Sequence, residues 1–166
     1  GVNIRHLEKR IKLLEGHAVK IIKDDVALKK RFDLLISVKG IAQKSAIQIL
    51  AELISLPKDM RAAQWVAFAG LDPRAVESGS SINQPRRITK AGNKYLRTAL
   101  YMPALVATQN DKHVKAFYNK LIAAGKKPLQ AIVAAMRKLL LSIWGMFQHE
   151  TTWNGEKFYR ITNEND

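Results

Sequence analysis

The chain has 166 residues, 47% of them apolar and interspersed with charge, which suffices for one buried core and excludes intrinsic disorder. It contains no cysteine, so disulfides, thiolate metal sites and a cysteine nucleophile are excluded; the four histidines, His6, His17, His113 and His149, lack metal-ligand spacing. A formal charge of +14 points to a polyanionic partner.

The chain starts at Gly1 in a helical pattern, without an initiator Met or signal peptide, and the expectation is an excised fragment. Ile4, Leu7, Ile11, Leu14, Ala18, Ile21, Leu28 and Phe32 follow a heptad seam in which Asp25 fills one position. This predicts a long coiled-coil-like helix over residues 1–33, able to pair with a second copy of the chain or to pack on its own domain. Next, LLISVKGIAQKSAIQILAEL (34–53) reads as a helix-hairpin-helix. Gly40 permits a positive φ in its turn, and Lys39 and Lys44 flank the start of the second helix, where unpaired N–H groups attract phosphate. Ala42 stands where such turns usually carry a second glycine, and many such hairpins are purely structural.

Pro57 ends that helix, and residues 60–69 predict a short one closed by Gly70 and Asp72–Pro73. From about Gly70 to Ala91 the chain is irregular, with 86–89 the one candidate strand; a loop of this length inside a domain is often functional. Helices then follow over about 92–109, with Pro103 inside, and from an Asn110 or Asp111 cap to Gly125. The last begins near Pro128 and carries apolar residues at helical spacing from Leu129 to Phe147. After 150 a polar tail, 151–166, offers Trp153, Phe158 and Tyr159 as anchors. The fold class is therefore mainly α, with the helical domain proper at 34–150. The longest uncharged apolar stretch, near 99–108, is too short to cross a bilayer, so no membrane partner is expected.

Between Ser78 and His149 stand twelve cations and one acid, Asp111, a local excess of +11 that favours DNA or structured RNA as partner. The stretch ESGSSINQPRRITKAGNKYLR (77–97) concentrates this chemistry: Ser78, Ser80 and Ser81 precede Arg86, Arg87, Lys90, Lys94 and Arg97. Ser-Gly-Ser usually just turns the chain. A serine hydroxyl attacking a phosphodiester, however, needs cations to stabilise the charge that develops, and Gly79 lets backbone approach a phosphate closely.

Four blocks in order, SVKGIAQKSAIQILAEL, WVAFAGLDPRAVESGSS, RRITKAGNKYLRTALY and GKKPLQAIVAAMRKLL, resemble the C-terminal transposase domain of the insertion-sequence transposases akin to the Piv DNA invertase. The resemblance covers about residues 34–145, and the first helix is similar to the family's connecting coiled coil. It implies a site-specific DNA recombinase of bacterial or archaeal cytoplasm in which Ser78, of the motif Ser78–Gly79, is the nucleophile, with Ser80 and Ser81 as fallbacks. It also implies a DEDD-type, RuvC-like N-terminal domain whose carboxylates hold a divalent metal such as magnesium, and a structured guide RNA. The 14 acids here are too thinly spread to supply that cluster, so no metal site is expected in this chain and the fragment alone is expected to be inactive. The alternative is a non-enzymatic helix-hairpin-helix module that binds nucleic acid.

Overall fold

The apolar periods of the sequence become helices throughout the computed structural model, which describes residues 2–73, 88 and 90–162. In chain order these are α1 (Val2–Asp24), α2 (Val26–Ile36), α3 (Gln43–Leu53), α4 (Ala62–Phe68), α5 (Lys94–Asn110), α6 (Lys112–Ala123), α7 (Pro128–His149) and α8 (Gly155–Phe158). Among the described residues there is no strand, only an isolated antiparallel bridge between Pro73 and Ile88. The mainly α expectation holds.

The single long N-terminal helix does not. Asp25 leaves helical geometry (φ −115°, ψ 116°), and its carboxylate accepts the Leu28 N–H at 3.0 Å, capping α2. Read as a heptad filler, Asp25 is instead an N-cap, because its short acceptor satisfies an orphan helix donor. The seam is thereby split. Leu28 and Phe32 pack against the core, whereas Ile4, Leu7, Ile11, Leu14 and Ile21 on α1 remain exposed.

The core gathers on α5 and α7, which pack against each other; α3 and α6 flank α5, and α4 covers α7. On α7 the residues Ile132, Met136, Leu139, Leu140, Ile143 and Met146 are buried at spacings of one to four, a broad apolar stripe. Each contributes about 1.5–3 kcal/mol by leaving water. By length (22 residues) and mean hydropathy (1.3) α7 could cross a membrane, but it is packed by α4, α5 and α6 and carries Arg137 and Lys138 at its middle. Its apolarity is that of a core helix. Helix α5 runs through buried Pro103 to Asn110, and Asp111 caps α6 by accepting the His113 and Val114 N–H groups at 2.9 and 3.1 Å.

The segment after α7 packs back on the domain through the three expected anchors. Trp153 donates its backbone N–H to Ser37 Oγ and its indole N–H to Asp111 Oδ2, both at 2.9 Å. Phe158 is 1% exposed and meets Phe117 edge-to-face at 5.5 Å. His113 Nδ1 donates to the Tyr159 carbonyl at 2.8 Å.

Candidate nucleic-acid interface

The turn between α2 and α3 holds the positive φ that glycine permits. Gly40 has φ +112°, and a Cβ there would lie 2.5 Å from the Pro103 carbonyl oxygen and 3.0 Å from the Ala107 nitrogen. Glycine is thus required twice: for the backbone conformation, and for the close approach of the turn to α5. Lys39 and Lys44 are exposed beside it. The N-cap of α3, Ala42, has no side-chain acceptor, which leaves the first N–H groups of the helix to solvent or a ligand.

The second basic element is the neck at which the segment 74–87 leaves and rejoins the fold. Its two feet are joined by several contacts. Pro73 bridges Ile88, Lys90 N–H reaches the Gly70 carbonyl at 3.2 Å, and Asn93 N–H reaches the Phe68 carbonyl at 2.5 Å. Arg97 donates from Nη1 to the Ala69 carbonyl at 3.0 Å. Two glycines make this closeness possible: a Cβ on Gly70 would stand 2.8 Å from the Gly92 nitrogen, and one on Gly92 would run into the backbone of Phe68 and Gly70. Lys90 has φ +53° and is exposed, as is Lys94, whose ammonium sits 5.2 Å from the Tyr95 ring centroid. Half-buried Arg97 therefore has a structural task in the neck beside the phosphate contact expected of it. Ser78, Gly79, Ser80, Ser81, Arg86 and Arg87 lie outside the described residues.

Turn and neck sit at opposite ends of one helix pair. Asn93, which caps α5, donates to Glu52 Oε2 at 2.6 Å near the end of α3, whereas Gly40, before its start, touches Ala107. Helices α3 and α5 are therefore antiparallel. From Asn93 to Ala107 the rise of an α-helix gives roughly 20 Å. Lys39 and Lys44 thus form one cationic end, and Lys90 and Lys94 the other.

A third cationic feature escapes sequence reasoning. Lys138 of α7 places its ammonium 4.6, 5.3 and 5.4 Å from the ring centroids of Phe117, Phe158 and Tyr159, and Lys120 of α6 lies 5.6 Å from the same Tyr159 ring. The ring faces attract both cations. Burial first, and the charge of Lys120 second, nevertheless hold the Lys138 pKa below the ordinary lysine range. Lys138 also lines a groove of about 840 Å³ between α6 and α7, with Lys126, Lys127 and Arg137 around it and the neck residues Pro73 and Ile88 along its edge. The cage joins α6, α7 and the C-terminal segment, and no local sequence pattern announces such a meeting.

Among the described residues no three His, Asp or Glu side chains converge as metal ligands. The family model described as "Transposase IS116/IS110/IS902 family" matches residues 32–119. The chain is similar to the pilin gene-inverting proteins of Moraxella bovis and Moraxella lacunata. Each is 33% identical over 139 residues, covering 83% of this chain and 43% of the relative. It is also similar to the insertion element IS110 uncharacterized 43.6 kDa protein of Streptomyces coelicolor, 26% identical over 148 residues, 89% of this chain and 33% of that protein. The chain thus spans less than half the length of these relatives.

Proposed function

This chain belongs to the IS116/IS110/IS902 transposase family, and from that premise we propose that it is the DNA-binding, serine-bearing part of a DNA recombinase, with Ser78 as nucleophile. The observation that carries the reading is the neck. A segment that holds Ser78–Gly79 is closed at its base by a bridge, backbone hydrogen bonds and a glycine–glycine approach, with Lys90 and Lys94 exposed beside it. Orientation is a large part of catalysis, and the closed base fixes where the two ends of that segment, Pro73 and Ile88, enter the fold.

In the proposed step the Ser78 Oγ–phosphorus bond forms and the phosphorus–O3′ bond breaks. The serine proton passes to a base, a proton from that base's conjugate acid reaches the departing 3′-oxygen so that it leaves as a hydroxyl, and the DNA 5′ end stays on the protein through its phosphate. Arg86, Arg87, Lys90 and Lys94 counter the charge on the non-bridging oxygens. Lys39, Lys44 and the open N-terminus of α3, in a helix-hairpin-helix role, hold backbone phosphate at the far end of the α3–α5 pair, where dipole and donors favour anions. Among the described residues no acids gather as metal ligands. The carboxylates and divalent ion that the resemblance implies belong to a further domain, and a structured RNA is a second proposed ligand of the same cations. A second copy is the proposed partner of the exposed α1 seam.

The test is strand exchange by the full-length recombinase. Ser78→Ala is expected to abolish it while DNA affinity stays near wild type, since one hydroxyl contributes little to binding that rests on charge. Retained exchange in Ser78→Ala, with loss instead in Ser80→Ala or Ser81→Ala, overturns the assignment.

A further inference from the structure

The cations between α6 and α7 take part in neither of the ion pairs seen among the described residues. Those pairs are Lys29–Asp33 and Lys30–Glu150, and they leave out Lys120, Lys126, Lys127, Arg137 and Lys138. Folding two ammoniums onto one tyrosine ring sets like charges close together, a cost that a bound anion relieves. The apolar stem and aromatic cage fix Lys138, and Lys126, Lys127 and Arg137 are exposed around the same groove.

Two details indicate what kind of anion fits. Among the described residues that line the groove the one aromatic ring is Phe117, and it is packed against Phe158, Tyr159 and Lys138, which disfavours the base stacking that single strands use. Lys127 and Arg137, both exposed on the groove, lie at the foot and the middle of α7, ten residues apart, about 15 Å along a helix. That spacing is comparable with the roughly 12 Å width of the B-DNA major groove, so that cations at the two ends can each reach a different strand.

We propose that the α6–α7 groove is a second seat for duplex DNA, gripping phosphates of both strands through Lys126, Lys127 and Arg137, with Lys138 as its fixed floor. The seat runs to the neck residues Pro73 and Ile88, so a duplex held there passes the neck. This does not depend on Ser78 being the nucleophile: a seat without serine chemistry, and serine chemistry without this seat, give different results below.

The experiment is anisotropy titration of a fluorescent duplex of about 20 base pairs with the chain, at several salt concentrations. Lys126→Gln, Lys127→Gln and Arg137→Gln together are expected to make the log–log salt slope shallower by about 2–3, near 0.9 for each phosphate no longer neutralised. A control triple on α1, Lys9→Gln, Lys12→Gln and Lys20→Gln, is expected to change it by less than about one. Equal losses from both triples mean diffuse charge and overturn the seat, as does an unchanged slope in a triple whose helical melting matches wild type. Loss confined to an RNA hairpin overturns the assignment to DNA. Because Lys138→Gln disturbs packing, the floor is tested by NMR of its ammonium, whose pKa is expected to rise on duplex binding; no rise overturns its role.

Discussion

Replacing Gly92 by alanine probes the neck directly. The added Cβ would meet the carbonyl oxygens of Phe68 and Ala67 and the nitrogen of Gly70; the Ala67 contact, at 2.7 Å, is far inside van der Waals distance. All three are backbone atoms, so no side-chain rotation relieves the clash. Overpacking of this kind costs about 1–3 kcal/mol. Separating the feet also weakens the Asn93–Phe68 or Lys90–Gly70 hydrogen bond, about 0.5–1.5 kcal/mol net. The sum is about 1.5–4.5 kcal/mol, which lowers Tm by roughly 3–18 °C for a domain of this size. The assay is thermal unfolding followed by circular dichroism, alongside Gly16→Ala. Gly16 has nothing within 4 Å and lies inside α1, so alanine there is expected to stabilise by about 0.5–1 kcal/mol. A Gly92→Ala protein that melts within a degree of wild type refutes the close approach on which the neck depends.

Phe158→Ala removes a ring that is 1% exposed and packed against Phe117, Trp153 and Lys138, and is expected to cost about 3–5 kcal/mol in urea unfolding; a loss under about 1 kcal/mol would show that the C-terminal segment is not part of the core. Lys138 has a folded-state pKa below its unfolded one, so its charge penalises the fold fully below the folded pKa, and the penalty fades as pH rises towards about 10.4. Lys138→Met is therefore expected to gain on wild type at neutral pH, and the gain to shrink in alkali; an advantage that grows with pH contradicts the cause given. Leu7→Glu with Leu14→Glu puts charge on the exposed face of α1, and sedimentation is expected to show a dimer in wild type and a monomer in the variant; a wild-type monomer removes the pairing proposal.

What is legible in the sequence is what local chemistry decides. Asp111 and Pro128 mark helix starts, because a capping carboxylate and a fixed φ act within one turn. The apolar stripe of α7 and the positive φ of Gly40 are likewise local. Asp25 shows where two local rules compete: a heptad reading extends the helix, a cap reading ends it, and the cap prevails because Leu28 and Phe32 gain burial by turning into the core. The site is legible only in part. Lys90 and Lys94 stand out as charge next to a serine motif, but the hydrogen bond that draws Arg97 into the neck, and the meeting of Gly70 with Gly92, join positions more than twenty residues apart. The Lys120–Lys138 cage needs α6, α7 and the chain after α8 at once, and no spacing rule encodes that.

The central claim is that Ser78 forms the covalent link to DNA, and direct mapping of the link tests it. Full-length recombinase is quenched in denaturant during reaction with its DNA, digested with protease and nuclease, and the nucleotide-bearing peptide sequenced by mass spectrometry. The account predicts a nucleotide attached through its 5′ phosphate to Ser78, and no such peptide from Ser78→Ala. A nucleotide on Ser80, Ser81 or any other side chain, or strand exchange that proceeds with no adduct at all, would contradict it.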